Sequence, residues 1–187
     1  MPVTPLHYCV AYVAKRLDRH LSLPALTVGS LIPDLENPVI YLLFRLKILN
    51  LDVPYELAAD RLVLHSLIGA STLGLGLTLI VTIYLYPRIS SALFGVDALE
   101  ACRPSWGLVA SAFLGCVSHV LLDALHHPYN PLLYPLTASS VDTLVLFGNP
   151  AAATILVHLV CLALTAAILV YERGRGDFWT HLLVNPS

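Results

Sequence analysis

Between Leu62 and Tyr86 the chain reads LVLHSLIGASTLGLGLTLIVTIYLY, without one Asp, Glu, Lys or Arg. A helix needs about 20 predominantly apolar residues to cross a hydrocarbon layer about 30 Å thick, and this run supplies them. Residues 106–126 and 151–171 meet the same requirement, the former carrying Asp123 near its end and the latter His158. The chain is therefore expected to be all-α, an integral membrane helical bundle with three transmembrane helices at 62–86, 106–126 and 151–171. Small residues recur along these spans, including Gly69, Ala70, Gly74, Ser111, Ala112, Gly115 and Cys116, which permits close helix contact.

The stretch 21–46 is also apolar, but Pro24, Pro33 and Pro38 with Asp34 and Glu36 interrupt it. Lipid-facing backbone cannot leave its polar groups unsatisfied, so two short helices in a re-entrant or protein-covered arrangement are expected there. Residues 5–19 read as an amphipathic helix at the membrane interface. Residues 1–61 would thus be interfacial or re-entrant, and residues 1–187 one membrane domain. Charged residues make up 12% of the chain and hydrophobic ones 57%, against roughly 25% charged in soluble proteins. A formal net charge of −2 offers no cationic field for nucleic acid. Cys9, Cys102, Cys116 and Cys161 are widely spaced, without a C-x-x-C pair, and read as small core residues.

Polar residues in such a chain carry the chemistry, because an ionised Asp at membrane depth costs about 2.5–3.5 kcal/mol on insertion scales. His119 and Asp123 stand four apart, so on a helix both project from one stripe and can grip one ion. His126 and His127 follow at the end of that span, with His127 the better candidate ligand. Asp34 and Glu36 fall in the proline break, where a carboxylate can turn toward a cavity, and either could serve as general base. If the N-terminal stretch folds back without crossing, these residues join His7 and His65, the latter on the fourth residue of the first span. His158 reads as a packing residue, His20 and His181 as solvent-side. In that topology Lys15, Arg16, Arg19, Arg45, Lys47 and Arg61 share the site's side, against Arg88, Arg103, Arg173 and Arg175 opposite. The positive-inside rule then leans toward a cytoplasmic site.

The ordered set TPLH (4–7), GSLIPDLE (29–36), LHS (64–66) and GCVSHVLLDALHHPYNPL (115–132) resembles the prokaryotic membrane-bound metal-dependent hydrolase family, which is similar in turn to zinc-dependent phospholipase C. The resemblance implies metal ligands at His7, Asp34, His65, His119, Asp123 and His127. It departs from the soluble phospholipases in having His158 alone in the last span, with no Glu beside it, and from many membrane relatives in lacking an Arg after His65. Neutral imidazoles and carboxylates suit one or two divalent ions, Zn²⁺ first, with Mn²⁺ or Fe²⁺ as alternatives. The expected function is hydrolysis of a phosphoester in a lipid or lipid-linked substrate, by a multi-pass protein of a prokaryotic cell membrane. The alternatives are a non-catalytic metal-binding membrane protein, a small transporter or proton-pathway component, and a structural protein whose His and Asp pair with one another.

Overall fold

The computed structural model describes residues 4–46, 63–137 and 139–185. A single 3₁₀ turn, Thr4–His7, leads into α1, Tyr8–Leu17, and a short turn returns the chain as α2, Leu23–Leu31. A second 3₁₀ turn, Pro33–Leu35, breaks the helix before α3, Glu36–Arg45. The long α4 spans Leu67–Phe94, α5 spans Trp106–Ala124, and α6 spans Pro150–Arg173; these three are long and apolar enough to cross a membrane. A short α7, Phe178–Leu183, closes the chain. There is no strand among the described residues.

The expected all-α membrane bundle is what the fold shows, with corrections at particular boundaries. The first span begins at Leu67, so His65 lies in the loop ahead of the helix and not on its fourth residue. Ser66 is the reason: its hydroxyl accepts from the Gly69 N–H and caps the helix there. At the other end the helix continues past Pro87 to Phe94, where Gly95 adopts a left-handed conformation and stops it. Pro87 cannot donate to the preceding turn, and the chain accommodates it by widening into a π-helical turn at Val81–Leu85. Leu62, Lys47 and Arg61 lie outside the described residues.

A second correction concerns direction. α1 starts beside the C-terminal end of α5, since His7 meets Asp123, and runs away from it. Its far end lies near the start of α5, where Lys15, His20, Ser22, Arg103 and Ser105 line one cavity of about 440 Å³. Lys15, Arg16 and Arg19 therefore sit at the end of the bundle opposite His7. The continuous run of one apolar helix hairpin hides this in the sequence. α7 is too short and mixed to show a period in the sequence; it is tied down by Tyr8 Oη donating to Leu182 O at 2.7 Å and Tyr86 Oη to Leu183 O at 2.8 Å.

Lipid tails are as apolar as leucine, so close packing rather than water exclusion must join helices inside a bilayer. The tightest seam runs between α2 and α5. A Cβ on Gly115 would fall 2.5 Å from Leu26 O and 3.0 Å from Gly29 Cα, and one on Gly29 would fall 2.8 Å from Ala112 O. Ser22 N–H donates to Ser111 Oγ at 2.7 Å on the same seam. Leu77, Ile80, Leu159, Val160 and Leu162 point outward, as lipid-facing residues should. Gly115→Val forces the two backbones apart, and we predict a loss of about 1–3 kcal/mol, read as a lowered thermal unfolding midpoint in detergent, whereas Gly76→Ala, which meets nothing within 4 Å, leaves the midpoint in place.

Candidate metal centre

The end of α5 gathers the polar residues. On one helix stripe His119, Asp123 and His126 follow at intervals of four and three, and all are buried, at 1%, 3% and 0% exposure. Asp34 arrives from the Pro33 break, His7 from the turn before α1, and His65 from the loop before α4. Ligand atoms of Asp34, His65, His119 and Asp123 all lie within 4.8 Å of one another, and so do those of Asp123, His126 and His127. Each group could hold a metal ion. The six residues expected as ligands are thus brought to one place, with His126 in addition.

The two nitrogens of each imidazole have different work. Nδ1 of His119 lies 2.8 Å from Ser30 O, and Nδ1 of His126 lies 2.8 Å from Leu122 O. A carbonyl can only accept, so Nδ1 carries the proton in both rings and Nε2 presents a lone pair. In His65 the Nδ1 side faces Glu36 Oε2 at 3.1 Å, which sets the same tautomer. Three histidines are therefore turned with Nε2 toward the carboxylates. His119 Nε2 stands 3.5 Å from Asp34 Oδ1 and 3.6 Å from Asp123 Oδ2; His65 Nε2 stands 3.7 and 3.9 Å from the same two oxygens. On the other side of the carboxylate, Asp123 Oδ1 faces His7 Nε2 at 3.6 Å and His126 Nε2 at 3.9 Å.

These separations are too long for hydrogen bonds, and Nε2 of His7 and of His119 makes none. Acceptors facing acceptors in a buried site repel unless a cation lies between them. Ligands about 2.0–2.1 Å from a tetrahedral ion stand about 3.3–3.4 Å from each other, close to the spacing here. The donor set fits a divalent metal on that ground. Burial, then the neighbouring His119 ring, holds His7 well below the ordinary imidazole value, to about 4, so at neutral pH it is in the uncharged form a metal requires. The His7 and His119 rings stack with centroids 4.2 Å apart.

Glu36, expected as a candidate general base, has a different part. Its carboxylate accepts from the backbone N–H of Val63 at 2.6 Å, Leu64 at 3.0 Å and His65 at 3.3 Å. With the His65 ring as fourth partner, it fastens the loop and aims the imidazole, leaving little capacity to take a proton from water. Asp34 is the more open carboxylate, 15% exposed against 4% for Asp123. His158 donates to Thr154 O at 2.7 Å and stands edge-on to His126, with centroids 6.0 Å apart. His127 packs against His126, and its carbonyl accepts from the Asn130 side chain. His126 could have been favoured over His127 from sequence, because it continues the His119–Asp123 stripe while His127 steps off it.

Far from this centre, the buried Glu172 carboxylate accepts from Tyr12 Oη and, at 2.6 Å, from Arg16, with Arg175 at 3.5 Å. Cys9, Val157 and Cys161 lie in the apolar cluster between the two polar groups. All four cysteines are free and buried.

A profile of the family described as YdjM inner membrane protein matches residues 7–184, nearly the whole chain, and the chain belongs to that family. No curated protein and no solved structure matches it. Replacing Glu36 by Ala strips three N–H groups, those of Leu64 and His65 buried, of their charged acceptor; we expect a loss of about 3 kcal/mol in stability, measured by thermal unfolding, together with faster proteolysis at 63–66 than in the wild type.

Proposed function

We propose that this member of an inner-membrane family is a metal-dependent hydrolase that holds divalent ions, Zn²⁺ first, at one end of its helical bundle and cleaves a phosphoester of a lipid or lipid-linked substrate. One observation carries the metal reading: Nε2 of His119 is a lone-pair donor, yet it faces two carboxylate oxygens at 3.5 and 3.6 Å in a buried site. The two oxygens of Asp123 face different histidines, which supports two subsites sharing that carboxylate. Asp34, His65, His119 and Asp123 Oδ2 would form one; Asp123 Oδ1, His7, His126 and His127 the other.

An ion held with one open position would lower the pKa of a bound water to about 7 and offset charge on phosphate oxygens. The chain's own residues do the rest. Asp34, the most open of the carboxylates, would take a proton from water. Glu36 acts as a positioning residue, holding His65 in its tautomer. α3 begins two residues after Asp34 and turns Val39, Tyr41 and Leu42 outward, an apolar surface against which an acyl chain can lie. A lipid could so reach the centre sideways from the bilayer.

The transport alternative needs polar groups that continue through the bundle. The apolar layer of Cys9, Val157 and Cys161 below the centre favours hydrolysis at one face.

The test is elemental mass spectrometry on untagged protein purified in detergent. Two ions per chain are expected in the wild type, one in a folded His126→Gln variant, and none in Asp123→Asn, which removes the shared charge. Hydrolysis of a phospholipid phosphoester falls in the same order. Folded wild-type protein that binds no Zn²⁺, Mn²⁺ or Fe²⁺ after reconstitution would sink the reading; full metal with no phosphoesterase activity would reduce it to non-catalytic binding.

A further inference from the structure

The helix directions sort the charges by end. α5 runs toward the His/Asp centre, so its start, with Arg103 just before it, lies at the other end. α4 runs away from the centre, carrying Arg88 to that far end, and α6 does the same with Arg173 and, beyond it, Arg175. α1 also runs away, with Lys15 and Arg16 in its last turn and Arg19 in the turn that follows.

These ends meet one another. Arg16 and Arg175 both reach Glu172, while Lys15, Arg103 and Asn185 line one cavity. Lys15, Arg16, Arg19, Arg88, Arg103, Arg173 and Arg175 thus share one face, seven of the ten Lys and Arg residues in the chain. Arg45, Lys47 and Arg61 are the remaining three, too few to reverse the balance wherever they lie.

Both tryptophans of the chain belong to the cationic end as well. Trp106, 89% exposed, opens α5, and Trp179 packs on Phe94 with centroids 4.6 Å apart. Arg16 and Arg175 each lie over the Tyr171 ring, 5.4 Å from its centroid. Indole and phenol rings anchor at the headgroup level, so this end of the bundle sits in an interface. From Trp106 to Asp123 a helix rises about 26 Å, close to the thickness of the hydrocarbon layer. The His/Asp centre therefore belongs to the opposite leaflet.

Lys and Arg near span ends are retained on the cytoplasmic side, whereas Asp and Glu contribute little to that choice. Glu172 and Glu100, which pair with several of these cations, do not cancel the bias. We infer that the cationic end of the bundle is its cytoplasmic face and that the His/Asp centre opens on the exoplasmic side of the inner membrane. The reading from sequence alone, a cytoplasmic site, is reversed because α1 carries its three cations away from His7. The centre would then draw its ions from outside the cytoplasm and meet headgroups of the outer leaflet. That consequence rests on the hydrolase reading; the sidedness does not.

Single cysteines read the sidedness directly, since the native cysteines are buried. Ser139→Cys lies in the loop between α5 and α6 on the centre's side, and Gly176→Cys lies between α6 and α7, where a side chain meets nothing within 4 Å. In spheroplasts of a bacterial host, a membrane-impermeant maleimide is expected to label Ser139→Cys and to leave Gly176→Cys unlabelled until lysis, with wild type as the blank. A fluorescent protein that matures only in the cytoplasm, fused after Ser187, is expected to fluoresce, and an alkaline phosphatase fused there to stay inactive. The opposite pattern, or labelling of both positions before lysis, overturns the inference. Metal content measured on the same preparations tests the hydrolase reading separately: an exoplasmic Ser139→Cys in a protein without metal keeps the sidedness and removes the chemistry.

Discussion

The molecule is organised around a buried set of oxygen and nitrogen lone pairs that cannot sit together without positive charge. Asp34 and Asp123 bring two carboxylates to one end of an apolar bundle, where among the described residues they face imidazoles. The imidazoles are not poised as donors. Ser30 O and Leu122 O fix the protons of His119 and His126 on Nδ1, and Glu36 does so for His65. One backbone carbonyl or side-chain carboxylate thus orients each of these three rings, an arrangement found around metal-binding histidines.

That geometry depends on packing well away from the charges. Ser30 can reach His119 because α2 presses against α5 at Gly29 and Gly115, where no side chain fits. The small-residue seam is thus part of the site, since any residue that spaced the helices would withdraw the carbonyl that sets the tautomer. The loop carrying His65 shows the same dependence. Its described residues, 63–66, form neither helix nor strand, and the Glu36 carboxylate accepts from the N–H groups of Val63, Leu64 and His65.

How much of this the sequence discloses follows from how local each cause is. The three spans and the Asp34 break can be read from runs of apolar residues and prolines, because membrane length and backbone satisfaction act within a segment. The His119–Asp123 pair is legible for the same reason, as a helix places residues four apart on one stripe. The start of α4 is not legible from span length because span length does not set it: Ser66 caps the helix, and Glu36, nearly thirty residues earlier, holds the N–H groups of Val63 and Leu64 ahead of it. The direction of α1 was unreadable because nothing within its own amphipathic turns says which end meets Asp123. His126 was legible in principle, as the next step on its stripe, but its position at a helix end beside Pro128 made it look like a terminus residue.

The helix dipoles sharpen the argument for a cation. Asp34 and Glu36 lie at the start of α3, where the partial positive charge of a helix N-terminus favours a carboxylate. Asp123 occupies the last turn of α5, where the partial negative charge disfavours one and favours a cation. A bundle selected only for stability would place an acid at the first kind of end and a base at the second. The opposite has happened at the most buried carboxylate of the centre, between two pairs of histidines, three of the four turned lone-pair inward. A divalent cation there, as the proposed function has it, would offset at once the dipole, the two Asp charges and the crowding of lone pairs.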